Sequence, residues 1–561
     1  MKKFFRSQVS LSRWAPLIGL AITILGWFLR TYQLGSKGLW LDEAFSVWLG
    51  EQTIPRLLEW ILKVDQHPPL YYSLLNIWIH LTGNSSPDNV RLLSAIFGTL
   101  TIPVIYLIGK RLSGDTMGLA AALILALSPF HVRFAQETRM YTLLTLNASL
   151  AIYALSRLLT DPRLATPFGA QLAEFYQTWR SSRRAELEKQ PARAGYTQDF
   201  RGKTDWVSAP TRRRWLPIRT IETDLSWLAL IVFTVATMLS HNTAILFPVA
   251  VNVFVFGWIL SKRIVRRASS PQRTTLQNWL LAQLGVFLLW SPWLYAFITQ
   301  AQGVYQEFWI PPPDRNTVLD TLKTFLNDFL PRQIQWDEII WLIFIFLAIL
   351  GVLHFRRRPA HLFLLLTLFV TPIVAELLVS LERPIFYDRT LIWTTIPLYL
   401  LLAAGIAQLH YRPYVLAACI ILATTNFLSV RDYYKYFEKE QWNLAADYVA
   451  KNVQTEDLIL FNATWVQIPF DYYFRTYNRP VDEHGAPVDL FDRGILEPKM
   501  AASDLPRLRS LMRGRERIWL VYSHNWYTDP KNLIPPALSE ELKLLETRDY
   551  YGLQVQLYGV P

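Results

Sequence analysis

The sequence predicts an α-helical polytopic membrane protein, with about eleven transmembrane helices and a small C-terminal α/β domain. Three observations carry that expectation. Of the 561 residues, 52% are hydrophobic and 14% aromatic, more apolar than soluble domains usually are. Runs almost free of charge recur, such as "LSWLALIVFTVATMLS" and "WLIFIFLAILGVL", and about 20 such residues span a bilayer core. Beyond residue 430 no spanning run remains. There, β-rich stretches ("EDLILF", "RIWLVYS", "LQVQLYG") alternate with a helix-like one, "WNLAADYVAKNV".

Taken in order, the apolar runs fall at 14–31, 89–109, 115–130, 138–158, 225–240, 243–261, 276–297, 338–353, 360–380, 390–408 and 413–430. The first follows a basic leader, "MKKFFRSQVSLSRWAP", as a signal peptide would, but no small-residue cleavage site follows it. It reads as an uncleaved helix with a cytoplasmic N-terminus. Alternating from there, the inside segments are Lys2, Lys3, Arg6 and Arg13; Lys110 and Arg111; "SKRIVRRASSPQR"; "HFRRRPAH"; and a basic insertion at 159–224 that includes "TRRRW". All are basic, as the positive-inside rule requires, whereas the opposite orientation would put Arg356–Arg358 outside. The net charge of +12 is thus explained by topology and not by nucleic acid. The single cysteine, Cys419, lies in an apolar run, which excludes a disulfide framework and a thiolate metal site.

Residues 1–430 therefore form the membrane domain and 431–561 an extracytoplasmic α/β domain. Three further pieces face outward. The loop 32–88 contains "IPRLLEWILKV" and "PPLYYSLLNIWIHL", whose helical spacing of apolar residues predicts helices lying in the membrane interface. The others are a short turn around "HVRFAQETRMY" and the loop 298–336, where the prolines of "WIPPPDRN" exclude regular helix. The 159–224 insertion reads as a solvated cytoplasmic segment.

The polar residues are informative by position. Asp42 and Glu43, His67, Gln136 with Glu137 and Arg139, His241, and Arg383 with Arg389 are scattered in sequence. All fall at the outer face under this topology. Ionisable groups beside hydrocarbon are costly unless they face a cavity or one another, so their convergence predicts a polar cleft at that interface.

Four segments, "GLWLDEAFSV", "DQHPPLYYSLLNIW", "RLLSAIFGTLTIPVIYLIGKRL" and "SPFHVRFAQETRMYTLL", occur in that order. They resemble the GT-C membrane glycosyltransferases, in particular the branch with protein O-mannosyltransferases and the lipid A aminoarabinose transferase. The resemblance covers about residues 25–160 and is looser through "LSHNTAILFP" and "FYDRTLIWTTIPLYLLLAAG". It implies a polyprenyl-phosphate-linked sugar donor and catalysis on the outer side of the membrane. The acceptor would be a lipid, glycan or protein.

The chemistry such a transfer needs can be stated independently. A carboxylate takes the acceptor's proton as it attacks an oxocarbenium-like centre. The phosphate leaving group needs no strong acid but does need cations, and arginine forks fit its oxygens. The resemblance makes Asp42 the base, and burial beside Trp40 and Phe45 would strengthen it. The structural alternative is a helix cap. Glu43 would orient Asp42 or bind acceptor, or is a plain surface charge. Glu137 stands where the resembled enzymes place a second acidic residue; it would bind metal, contact acceptor, or pair with Arg139 or Arg133. Gln136 and Tyr141 are substrate contacts or interfacial anchors. His67 stands where the aminoarabinose transferase has a lysine, and Gln66 replaces the neighbouring metal-binding glutamate. His241 matches a helix-end histidine. Glu137, His241 and His67 are thus a candidate ligand set for a divalent metal ion, and equally a set of hydrogen-bonded groups. Arg389 matches the arginine facing donor phosphate, with Arg383 able to share the task, unless both merely snorkel. Tyr71, Tyr72, Trp78 and Trp309 suit an aromatic belt or a sugar platform.

The sequence thus predicts an inverting glycosyltransferase. The rival is a transporter or flippase of lipid-linked saccharides, which would bind at mid-membrane and commonly show internal repeats. No repeat is visible here.

Overall fold

The computed structural model describes residues 2–65, 67–160, 222–265, 270–303, 310–329, 337–409, 411–462, 464–490 and 498–560, with 176–177, 180–181 and 492. Most of the 159–224 insertion, together with Gln66 and Trp309, lies outside these.

Among the described residues, nine helices are long and apolar enough to cross a membrane, and the chain is an integral multi-pass membrane protein. Two of the eleven expected spans differ. The run 115–130 is broken into α6 (Asp115–Leu127) and α7 (Pro129–Ala135), bent by 58°. Pro129 causes the break, because the residue before a proline is pushed out of helical geometry. Ser128 is accordingly extended and caps α7 by accepting from the His131 N–H. The expected turn around "HVRFAQETRMY" therefore begins in helix. The run 225–240 is shorter than a full span, Leu225–Met238.

The first half of the chain continues from α1 (Lys2–Thr31) through α2 (Leu41–Gly50), α3 (Ile54–Lys63), α4 (Leu70–Thr82) and α5 (Pro87–Ser113), to α8 (Tyr141–Thr160) after α7. In α3, Leu57 and Ile61 are buried while Ile54, Leu58 and Leu62 are exposed, so the helix carries apolar side chains both toward the fold and away from it. Tyr71 and Tyr72 are fully buried and form no belt. Tyr71 bonds Ser94 at 2.8 Å, and Trp78 donates to the Asn89 carbonyl. In the second half, the helix Asp337–His354 packs on Thr395–Gln408 by close backbone approach. A Cβ at Gly351 would strike the Leu401 carbonyl, and one at Gly405 the Leu347 carbonyl. Small residues at such crossings let membrane helices approach closely.

Prolines 311–313 do exclude helix, and Asp314 then opens the helix Arg315–Asn327 with a capping box to Thr317. After the last membrane helix, Arg412–Tyr436, comes a five-stranded sheet of order β2-β1-β3-β5-β4. Its strands are β1 (Leu458–Phe461), β2 (Asp482–Gly485), β3 (Arg517–Ser523), β4 (Lys543–Tyr550) and β5 (Leu553–Gly559). β1 runs parallel to β2 and β3, while β5 runs antiparallel to β3 and β4. Alternation sends Ile459, Phe461, Trp519 and Val521 to one face, against Trp442 and Val449 of the helix Trp442–Asn452. Leu458, Leu460, Ile518 and Leu520 go to the other, against Leu508 and Leu538.

The sheet domain sits on both ends of α2 and on the turn before α5. Arg475 forms a two-pronged pair with Glu51 at 2.8 Å each, Tyr472 donates to the Ser85 carbonyl, and the Tyr473 hydroxyl accepts from Leu39 N–H.

Candidate active site

Adjacent helix positions point about 100° apart, so Asp42 and Glu43 cannot share a face of α2. The structure separates them accordingly. Glu43 is fully buried. Its Oε1 accepts from Arg91 Nε (2.8 Å) and Thr138 N–H (2.9 Å), and its Oε2 from Arg91 Nη2 (2.7 Å) and Lys439 Nζ (2.9 Å). Burial would raise its carboxyl, but Arg91 and then Lys439 prevail and hold it at about 2. Glu43 is neither a surface charge nor open to an acceptor. It ties α2 to α5, to the 136–140 segment and to the sheet domain. Arg91 extends the tie by donating to the carbonyls of Leu34, Lys37 and Gly38.

Asp42 faces the opposite way. It is not the cap of α2: Trp40 holds that position, with no side-chain bond, and the Leu41 N–H is taken by Glu440 Oε2 at 3.0 Å. Nor is it buried as its neighbours suggested, since 28% of its side chain is exposed. Its Oδ2 lies 3.6 Å from Arg139 Nη2 and 3.6 Å from Arg389 Nη1. Two guanidinium groups from different ends of the chain thus flank one accessible carboxylate.

Each arginine is held by other groups. Arg139 Nη1 donates to Tyr72 OH (3.3 Å), Ser46 Oγ (3.4 Å) and the Asp42 carbonyl (3.4 Å). Arg389 lies over the rings of Tyr387 (4.7 Å), Tyr141 (5.8 Å) and Trp40 (5.9 Å), a setting that favours a partly desolvated cation. Tyr141 is therefore a wall of the cleft and not an interfacial anchor.

His67 and His241 are also in the cleft, with ring centroids 5.1 Å apart. His67 Nδ1 meets Asp65 Oδ1 at 2.9 Å, and its Nε2 lies 3.5 Å from Arg139 Nη2. Burial would raise the Asp65 carboxyl, but His67 and then Arg139 hold it below the ordinary range. His241 is pushed well below its ordinary value by burial and then by the charges of His67, Arg139 and Arg389. Its Nδ1 accepts from Thr243 N–H at 3.2 Å, which assigns the ring proton to Nε2.

The expected ligand set of Glu137, His241 and His67 does not fit a divalent ion. His241 Nε2 carries a proton, His67 Nε2 faces a guanidinium, and Glu137 is drawn to Arg133, 3.6 Å away. Among the described residues no group of three His, Cys, Asp or Glu side chains is placed to hold a metal.

Glu137 belongs to a second cluster beside the first. It is buried, and its Oε2 has no hydrogen-bond partner. Arg133 reaches from it to Asp328 at 3.7 Å and stacks over Phe437, Phe134 and Phe329. Burial, opposed by Arg133 and assisted by Asp388, pushes Asp328 up to about 6. Two expected residues lie apart from these clusters. Gln136 donates to the carbonyls of Arg30 (3.3 Å) and Tyr32 (2.7 Å), securing the end of α1. Arg383 donates to the Ala301 carbonyl at 2.9 Å, an anchor within the bundle.

Arg91, Lys439, Asp65, Asp328 and Asp388 were not singled out from sequence. Arg91 carried a signal, a cation inside an otherwise apolar helix. Lys439 carried none, because its partner Glu43 lies 396 positions away.

The family described as dolichyl-phosphate-mannose-protein mannosyltransferase matches residues 66–172. No curated protein matches the chain in sequence. Among solved structures, ArnT from Cupriavidus metallidurans in the apo state superposes with a TM-score of 0.56 at 12% identity, covering 98% of this chain and 98% of that one. The same protein bound to undecaprenyl phosphate gives 0.56 at 12% identity, over 97% of this chain and 98% of that one. The apo oligosaccharyltransferase of Archaeoglobus fulgidus gives 0.50 at 12% identity, over 93% of this chain and 72% of that one. The chain thus has the GT-C fold that its sequence resembles.

Proposed function

We propose that this chain is a membrane glycosyltransferase that moves a sugar from a polyprenyl-phosphate donor to an acceptor hydroxyl, with inversion. The observation that carries the reading is the flanking of accessible Asp42 by Arg139 and Arg389. Two guanidinium groups at one point suit a phosphate. The related fold of ArnT, which has been solved bound to undecaprenyl phosphate, supports a lipid-linked donor.

In this scheme donor phosphate enters between the arginines and draws them from Asp42, which is then free to act as a base. The acceptor oxygen bonds to the anomeric carbon as its proton passes to Asp42. The bond from anomeric carbon to phosphate oxygen breaks, and its electron pair leaves on the phosphate, held by Arg389 and Arg139. Attack opposite the departing phosphate inverts the anomeric centre. The N-terminus is cytoplasmic and the cleft opens on the outer face, beside the sheet domain.

Asp42→Asn tests the assignment. Incubation of detergent-solubilised protein with radiolabelled polyprenyl-phosphate sugars and membrane acceptors should show transfer by the parent. The variant should lose about a thousandfold, the middle of the range for a general base, with unchanged folded yield. Full activity of the variant would remove Asp42 from the mechanism. Transfer in detergent also excludes a transporter, which needs a sealed compartment.

A further inference from the structure

Glu376 is a fully buried carboxyl inside the candidate span Pro359–Ser380, one turn before its end. An ionisable group at such a place is costly and marks function, yet the scheme above does not use it. Its two oxygens lie 3.1 and 2.9 Å from Thr390 Oγ1. The Tyr387 N–H and the Thr243 hydroxyl also face this carboxyl. One turn on, the same helix face presents Ser380, whose Oγ accepts from the N–H groups of Ile385 (3.1 Å) and Phe386 (2.9 Å).

The groups gripped by Glu376 both belong to the cleft. Tyr387 and Thr390 bracket Arg389, and Tyr387 supplies the nearest ring under its guanidinium. Thr243 holds His241 Nδ1 through its N–H and, at 2.9 Å, its hydroxyl. One side chain thus fixes both the segment that aims Arg389 and the turn that carries His241. Misplacing such a group by about 1 Å costs about a hundredfold in an active site.

We propose that Glu376 is a positioning residue that aims Arg389 at the phosphate of the lipid donor. This rests on the reading of Arg389 as a phosphate ligand. An amide at 376 can do the same work. Its oxygen accepts from the Tyr387 N–H, while its NH2 donates to the threonine oxygens. Their own protons then go to the Tyr387 carbonyl, 2.7 Å from Thr390, and to His241 Nδ1.

The test uses full-length protein in detergent and two probes, undecaprenyl phosphate and the uncharged alcohol undecaprenol. The parent should bind the phosphate more tightly than the alcohol. Glu376→Leu should weaken phosphate binding about tenfold, the effect of a lost hydrogen bond at a charged site, and leave alcohol binding within twofold. Glu376→Gln should return phosphate binding to within twofold of the parent. Thr390→Val, which removes one tether only, should shift phosphate binding in the same direction and guards against misfolding of the leucine variant. A merely structural role would weaken both probes together, and that result overturns the proposal. So does parental phosphate binding by both Glu376→Leu and Thr390→Val, or a glutamine variant as weak as leucine. A parent that binds phosphate and alcohol equally would instead refute the phosphate-site reading itself.

Discussion

Glu43 and Lys439 share a buried bond of 2.9 Å, yet their replacement should have very unequal consequences. The fall of Glu43 from 4.5 to about 2 corresponds to about 3 kcal/mol favouring the folded chain. That contribution is complete above pH 4.5 and is lost as pH falls toward 2. Lys439 is lowered from 10.5 to about 8, by burial first and Arg91 second, against the pull of Glu43. Between pH 8 and 10.5 the unfolded chain therefore binds more protons, and stability rises with pH there. At pH 7 the lysine charge costs about 3 kcal/mol.

Glu43→Gln leaves Arg91 and Lys439 buried without their counter-charge, which should cost about 3–5 kcal/mol. At pH 7 Lys439→Met removes a charge whose cost of about 3 kcal/mol already has the pull of Glu43 counted in it. The lysine variant should therefore be at least as stable as the parent. Unfolding midpoints in detergent at pH 7, followed by tryptophan fluorescence, compare the two. The lysine variant should also lose the rise in stability between pH 8 and 10.5. A lysine variant as unstable as Glu43→Gln, or a Glu43→Gln that melts with the parent, would refute this reasoning.

Arg389→Ala should remove about 2 kcal/mol of phosphate binding, about thirtyfold in KM for the lipid donor, with little change in KM for the acceptor. In the sheet domain, burial and then the neighbouring charge of Glu483 hold Asp471 protonated well above its ordinary range. A raised carboxyl costs stability as pH climbs from that ordinary range, so Asp471→Asn should raise the melting midpoint at pH 8 and leave it unchanged at pH 4. Gly405→Leu should force apart the helices Asp337–His354 and Thr395–Gln408. The expected cost is about 3 kcal/mol or more, read as loss of folded protein in size-exclusion chromatography.

The membrane helices were legible because hydropathy needs no knowledge of neighbours. Where local chemistry competes, as at Pro129, the run alone misleads. In the sheet, β1, β3 and β5 are apolar and were visible, whereas β2 ("DEHG") and β4 ("KLLETRDY") were not. β2 and β4 are the edge strands, and β4 is exposed along nearly its whole length, so neither carries an apolar signature. In the cleft, Asp42, Arg139, Arg389, His67 and His241 could be gathered by placing charges at one end of the bundle. Glu43 could not be told from Asp42 by composition, though adjacency on a helix already required them to diverge. Gln136 and Arg383 show the limit of that method. A polar residue at the right depth can spend its hydrogen bonds on backbone carbonyls, and only the fold reveals the carbonyls.

The sheet domain bears on the proposed base through the cap of α2. An acidic residue in the first turn of a helix ordinarily competes for the free N–H groups there. Here Glu440, just beyond the last membrane helix, takes the Leu41 N–H and also the Trp442 indole N–H at 2.7 Å. Tyr473, from the helix Gln467–Phe474, takes the Leu39 N–H. Lys439 adds a bond of 3.1 Å to the Gln136 carbonyl, next to Glu137. With the Leu41 N–H taken from outside, Asp42 points to the two arginines. The domain after residue 436 therefore supplies side chains that complete the helix on which the proposed base is mounted, and cannot be regarded as an appendage to the membrane bundle.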